Sequence, residues 1–592
     1  MKIASFIRDG EIDCGLVDGD QGYRVFDDHP VIGSLNSESR IFHLLGLSPE
    51  ERDLVDEEMK DAPLISSNVI KLLPAIPHCP LYIYNHANNP IVWKRQINRE
   101  WEVTRLPYMR IRSYSCFSGD GWEIPIHPGT TLSCGAELGV VIGREAYRVH
   151  PENAVDHIAG LVCLNDNFIE GDHEAFIDNS SSESEMHQHQ GLHVLFKTGD
   201  GNGGMGPWIT TAEEFEKVIE TRLQQQASDR YRNVHAASWV YDKMMWTKIN
   251  GEICDEAYTS TYLFGAEWMI TYLSRFMTLP TGSIVGLGAA GWDGVHLPSM
   301  DEPGAEVEVA VELQGVGALH TTVRRQAMDE VSESPFIKNI TAAGLDPATA
   351  IKKRPGRALW VQRGNNPKSD PGLPVTGLNP MLFPTTALNE DISPIILPPH
   401  ATSIHLSVQV AGIVGPGTIY GLGSDGRKIN EEECIDRICL LVGVRDTSLI
   451  DAIKDPSPYE MRAAYMFSCC ADGFFKLGEA IPFKNIEDLS AQTLNLSLTG
   501  IGECNYCVAD YRFGFSEMLE MISRTITLFP RDIVSLGAAG AELVIQSDTK
   551  IERADTSNKN RNGLLSVNAS WGATMHLTFD DQRDSRFREV KR

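Results

Sequence analysis

The chain has 592 residues, with 52 Lys and Arg against 80 Asp and Glu, a formal net charge of −28. That balance argues against a nucleic-acid or anionic-membrane partner, although a local Arg/Lys pocket in an acidic protein still admits an anionic substrate. Hydrophobic residues at 42% and charged residues at 22% are globular values, and the length exceeds one ordinary core, so at least two domains are expected.

No stretch is long and apolar enough to cross a bilayer, and Met1 to Gly10 lacks the apolar region of a signal peptide. The 12 cysteines are scattered, mostly in apolar runs. Cys504-Asn-Tyr-Cys507 is a lone CxxC, without the second pair that a zinc ribbon needs. Free thiols in a reducing cytoplasm are the expectation.

Residues 1–75 read as a small N-terminal domain: short strands at Lys2-Ile-Ala-Ser-Phe and Gly15-Leu-Val-Asp-Gly, then a polar helix from Glu50 to Lys60. Pro74 to Pro80 breaks the pattern. Pro107-Tyr-Met-Arg-Ile-Arg112 brings two arginines, each able to hold a carboxylate in a bidentate fork. Gly139-Val-Val-Ile-Gly143 and Gly160-Leu-Val-Cys-Leu are apolar runs fit for buried strands, with Pro151 to Ile158 predicted as the first turns of a helix between them. Glu137 lies before the first strand and Asp166 after the second. An acid beside a buried strand is costly unless it is paired or binds a metal, and two acids from adjacent strands can converge on one hard cation.

Residues 168–193 are polar and read as a lid, carrying Glu170, Asp172, His173, His187, His189 and His193. Val194-Leu-Phe-Lys197 is predicted as the end of an apolar strand. The glycines after it allow close backbone approach to a ligand, but no Gly-Lys-Ser/Thr closes a phosphate loop. Trp246 to Glu252 reads as a hairpin with an Asn-Gly turn, and Ala266 to Phe276 as a helix. Residues 331–370 are a turn-rich linker.

Three stretches together resemble the fumarylacetoacetate hydrolase family. Ala136-Glu-Leu-Gly-Val-Val-Ile-Gly143 with Leu164-Asn-Asp166 matches its Glu-x-Glu-Leu-x-Val-Val-Ile-Gly and Asn-Asp pattern. Lys197, Asp200 and Gly206-Pro-Trp208 match its Lys-Gly-x-Asp and Gly-Pro-Trp, and Leu279 to Gly291 resembles its Leu-x-x-Gly-Asp-x-Ile-x-x-Gly-Thr-Pro. The resemblance implies that Glu137 and Asp166 ligate Mg²⁺ or Mn²⁺, with Gly135 standing where the family has its first Glu. It implies His86 as an acid/base, with Asn89 at the place of the partner Glu. Lys197 would stabilise an enolate, Arg112 would anchor a substrate carboxylate, and Gly288 and Ala289 would touch substrate, Ala289 replacing a Thr.

From Ile395 the pattern repeats. Ile395 to Gly415 tracks Ile124 to Gly143, Cys434 to Asp446 tracks Ala154 to Asp166, and Ile533 to Gly540 tracks Ile284 to Gly291, a diverged duplication. In the second copy Gln409 replaces Glu137, Ser407 replaces Gly135, and Lys197 falls near Ser468. The expected fold is therefore α+β and mostly β. The resemblance implies two tandem β-rich roll or sandwich repeats that would form an intrachain pseudo-dimer, with a catalytic repeat at 76–330 and a degenerate one at 371–592. Either a monomer or a homodimer is compatible with it.

The family resemblance implies an enzyme acting on an enolisable 2-oxo acid or 1,3-dicarbonyl, by C–C hydrolysis, decarboxylation or isomerisation through a cation-held enolate. The departures at Gly135, Asn89 and Ala289 open a second reading: a metal-independent lyase, hydratase, isomerase or cyclase in which Glu137, Asp166 and His86 move protons. A third is a non-catalytic ligand-binding protein.

Overall fold

In a computed structural model of the chain the described residues are 1–19, 22–86, 88, 106–170, 194–195, 197–218, 222–224, 239–241, 243–289, 295–327, 334–354, 356–366, 368–369, 378–391, 393–422, 429–455, 458–546, 549 and 564–583. The fold is α+β and mostly β. Contacts divide it into two compact units, residues 1–173 with 196–356, and residues 174–195 with 357–592. Among the described residues no helix is long and apolar enough to cross a membrane.

The first unit is built on a 12-stranded sheet. Its strands include β1 (Lys2–Arg8), β2 (Glu11–Asp18), β3 (Gly22–Val25), β4 (Leu64–Ser66), β5 (Tyr82–His86), β6 (Tyr108–Ile111), β7 (Ala136–Ile142), β8 (Ile158–Asp166), β9 (Gly203–Thr211) and β10 (Ile284–Ala289). They run β4-β3-β2-β1-β9-β8-β7-β10-β5-β6. The strands of residues 1–75 thus continue the sheet that carries the candidate site. Every residue of β7 is buried, as a β-branched apolar run with neighbours on both sides requires. A five-stranded sheet holds the Asn250-Gly251 hairpin between Met244–Ile249 and Glu252–Tyr258. Both turn residues have positive φ, 49° and 82°, as the Asn-Gly pair predicts.

The second unit repeats the succession. Its nine-stranded sheet contains β11 (Leu359–Gln362), β12 (Pro380–Phe383), β13 (Ser403–Val414), β14 (Ile435–Asp446), β15 (Phe475–Leu477) and β16 (Ile533–Ala538), in the order β12-β11-β16-β13-β14-β15. This is the order β6-β5-β10-β7-β8-β9 of the first unit, strand for strand. The ladders set the register. Glu137 pairs with Leu164 and Ala289 in the first unit, and Gln409 with Leu441 and Ala538 in the second. Even the bulge recurs, between Glu137 and Gly139 and between Gln409 and Ala411.

Four local expectations change. Residues 151–157 form a 3-10 helix rather than α-helical turns; the segment spans only the short crossing between two antiparallel neighbours. Lys197 sits in a helical turn, not at a strand end. The carbonyls of Lys197 and Thr198 accept from the side chains of Arg112 and Ser113, which withdraws them from any strand ladder. Glu137 and Asp166 lie inside β7 and β8 rather than beyond them. Finally, the ladder places Gly443, not Asp446, at the rung of Asp166, because counting from the Leu164 and Leu441 rungs gives a three-residue offset.

Candidate active site

The adjacent strands β7 and β8 and the chain after the edge strand β6 bring the charged residues together. Asp166 ends β8, and its backbone N–H donates to the Gly135 carbonyl at the start of β7, 2.9 Å away. Arg112 follows β6 and is wholly enclosed, its guanidinium 5.2 Å from the Tyr82 ring and 4.7 Å from the Tyr84 ring. One arm of the guanidinium reaches Asp166 Oδ1 and the other donates to the Lys197 carbonyl at 2.5 Å. Lys197 Nζ donates to Asp166 Oδ2 at 2.7 Å and lies 5.4 Å from the Phe168 ring. A single carboxylate is thus gripped by two cations with little water around them, the arrangement in which charge-assisted hydrogen bonds are strongest.

Glu137 lies beside this cluster, 1% exposed. Its Oε1 accepts from the Gly288 N–H, and Oε2 has no hydrogen-bond partner among the described residues. Burial and then the neighbouring charge of Asp166 raise its pKa above the usual carboxylate range, against the pull of Arg112, the Gly288 N–H and Lys197. Gly288 is held in turn by Tyr262, whose hydroxyl donates to the Gly288 carbonyl at 2.7 Å and accepts from the Leu138 N–H at 3.4 Å. Gly286 has to be a glycine for Glu137 to sit here, since a Cβ would fall 2.6 Å from Glu137 Oε1.

Of the residues expected from sequence, Glu137, Asp166, Lys197, Arg112 and Gly288 meet in one cluster. Arg112 is engaged with Asp166 and a backbone carbonyl rather than opening toward solvent. Ala289 pairs with Glu137 through the backbone. The backbone of His86 ends β5; its side chain, Asn89 and residues 171–193 of the expected lid lie outside the described residues. Two residues escaped sequence reasoning. Tyr262 is one. The other is Asn88, whose Nδ2 donates to the Phe264 and Leu287 carbonyls at 2.9 and 2.7 Å while its Oδ1 accepts from the Phe264 N–H at 2.7 Å. The signal for Asn88 was in the duplication: Asn365 makes the same three bonds, to Phe513 and Leu536, in the second unit.

A hard divalent cation wants six or more oxygen ligands, several of them anionic. Glu137 Oε2 is one open oxygen. Asp166 is committed to Arg112 and Lys197, position 135 is a glycine, and no group of three or more His, Cys, Asp or Glu gathers among the described residues. The described residues do not fit a Mg²⁺ or Mn²⁺ shell.

One strand succession thus occurs twice in the chain, and in the first unit it brings acid and cation side chains together. The chain belongs to the fumarylacetoacetate hydrolase family: the profile described as Fumarylacetoacetate (FAA) hydrolase C-terminal matches residues 83–324 and 361–564. An uncharacterized protein of Staphylococcus aureus (strain USA300) is 26% identical over 265 residues, 44% of this chain and 74% of that protein. Among solved structures, maleylpyruvate hydrolase from Sphingobium sp. SYK-6 is 20% identical with a TM-score of 0.40, covering 55% of this chain and 100% of that one. That enzyme has also been solved with manganese (II) ion and pyruvate. Fumarylacetoacetate hydrolase from Exiguobacterium antarcticum is 18% identical with a TM-score of 0.38, at the same coverage.

Proposed function

We propose that the first unit is an enzyme acting on an enolisable 2-oxo acid or 1,3-dicarbonyl compound, through proton transfer and an enolate stabilised by protein cations. The observation that carries this is the grip of Arg112 and Lys197 on Asp166 beside a buried Glu137 with one unpartnered oxygen. Lys197 is the mobile member, a flexible ammonium able to turn from Asp166 to a developing oxyanion, while stacked Arg112 keeps Asp166 in place. Glu137, kept neutral by its surroundings, supplies a proton and takes one back once ionised, and His86 at the end of β5 is the second proton-transfer group. Metal-bound enolate chemistry, the alternative carried by the family, needs ligands beyond those the described residues offer.

Enolisation can be measured without knowing the natural substrate. In D₂O, ¹H NMR follows loss of the C3 protons of pyruvate and 2-oxobutyrate and of the C3 protons of acetylacetone. The expected result is exchange catalysed by the wild type, resistant to EDTA and lost in Lys197→Met. No catalysed exchange with any of these compounds would overturn the enolisation reading. Exchange abolished by EDTA and restored by Mn²⁺ would overturn the metal-independent part alone.

A further inference from the structure

We propose that the second unit carries a separate binding site for a small carboxylate, seated where the first unit has its acid–cation cluster, and that this site binds without turnover. The register fixes the equivalence. Tyr82 pairs with Ile284 as Leu359 pairs with Ile533, so His86 corresponds to Arg363. The identical bond sets of Asn88 and Asn365, each two residues further on, confirm the count. By the same ladders Glu137 corresponds to Gln409 and Asp166 to Gly443.

These positions surround a cavity of about 40 Å³, with Arg363, Arg445, Tyr465, Gln409, Gly443 and Glu542 in its wall. One water needs roughly 10–15 Å³ on the same measure, so the space suits a few heavy atoms, a carboxylate group and a methyl but not a large acid. The two acids of the first unit are gone from these positions, and the described wall holds two guanidinium groups and one carboxylate. The Arg363 guanidinium lies 3.3 Å from the centroid of the Tyr465 ring, and that of Arg445 lies 5.4 Å from it. The tyrosine face stacks the Arg363 fork at the cavity, the geometry that suits a planar carboxylate, while Arg445 beside it is held by Glu542. Glu542 is occupied by Arg445 and by His405 Nδ1 at 2.9 Å.

Among the described residues, the wall contains no group placed for turnover. Gln409 is a locked amide: Nε2 donates to Ser407 Oγ at 3.2 Å and Oε1 accepts from Ser535 Oγ at 2.6 Å. Burial pushes the Cys469 thiol up to about 11, so it is no nucleophile near neutral pH. An arginine stands where the first unit has His86 and does not exchange protons in this range.

The test uses acetate as the probe, with acetamide as its uncharged counterpart, in calorimetric titrations of the full chain. Wild type is expected to bind acetate and not acetamide. Arg363→Gln is expected to weaken acetate by about tenfold or more, the worth of one charge-assisted pair, with its ligand-free Tm unchanged. Arg363→Lys, which keeps the charge but loses the planar fork, should fall between wild type and Arg363→Gln. If Arg363→Gln does not fold, Gly443→Ala serves instead: its Cβ would fall 2.4 Å from Gln409 Nε2 and close the cavity floor. Lys197→Met in the first unit should leave this binding in place. Equal binding of acetate and acetamide, acetate affinity unchanged in folded Arg363→Gln or Gly443→Ala, or acetate binding lost only in Lys197→Met would each overturn the proposal. The last result would leave the enolisation reading standing.

Discussion

Glu137 and Gln409 occupy the same rung of the two sheets, and the difference between them is one of solvation. A carboxylate at 1% exposure with one unpartnered oxygen is easier to bury neutral than charged. The native state therefore holds a proton that the unfolded chain gives up above about 4.5, the ordinary value of this carboxyl. With the folded value raised, the stabilisation is fully present below the unfolded value and is lost as pH rises through the folded one. Glu137→Gln removes the titration. Its Tm relative to wild type should rise as pH is increased from 4.5 into the alkaline range, read by thermal denaturation at a series of pH values. A difference that is flat or falls with pH would place an ionised Glu137 in the native state. Gly286 belongs to the same residue-scale logic. The second unit has Ser535 at that rung, and its hydroxyl donates to Gln409. Gly286→Ser should displace Glu137, lowering catalysed proton exchange by about tenfold or more while the unfolding free energy falls by no more than an overpacked core site costs, about 1–3 kcal/mol. Unchanged exchange would remove Glu137 from the proton path.

At the scale of elements, the strands that carry the chemistry were legible because their apolar runs are long and β-branched. The acids at their ends were legible because charge is rare in such runs. What sequence pattern does not contain is who pairs with whom. Arg112 reads as an anchor for substrate; in the fold it is spent on Asp166 and a carbonyl, since a guanidinium sealed under Tyr82 and Tyr84 must find buried acceptors. Asn88 was invisible for a different reason: its partners are backbone groups 176 and 199 residues away. It pins the chain after β5 to the turn at Phe264 and to β10, and Asn365 does the same in the second unit. Asn88→Ala and Asn365→Ala each remove three hydrogen bonds, all buried at Asn88 and partly so at Asn365, and strand their backbone partners. Each should destabilise by about 3 kcal/mol, measured by denaturant unfolding, with faster amide exchange confined to the unit that carries the change. A loss well below 1 kcal/mol would show that water replaces the side chain.

At the scale of the molecule, a duplication offers two sites and the chain has kept the acid–cation set in one. The second unit preserves strand order, bulge and Asn strap, which are demands of the fold. It has replaced Glu137 by Gln409, Asp166 by Gly443 and His86 by Arg363, the positions to which the proposed function assigns chemistry. If both units turned over substrate, disabling one would leave about half the activity. If the distribution of charged groups decides, Lys197→Met should remove essentially all of it, a loss of about 100-fold or more for an electrostatic group at the developing charge. Turnover per chain in Lys197→Met against wild type separates the two, provided that the variant's Tm shows it to be folded. A residual near one half would place chemistry in the second unit and require a proton-transfer group there that Gln409, Gly443 and Arg363 do not provide.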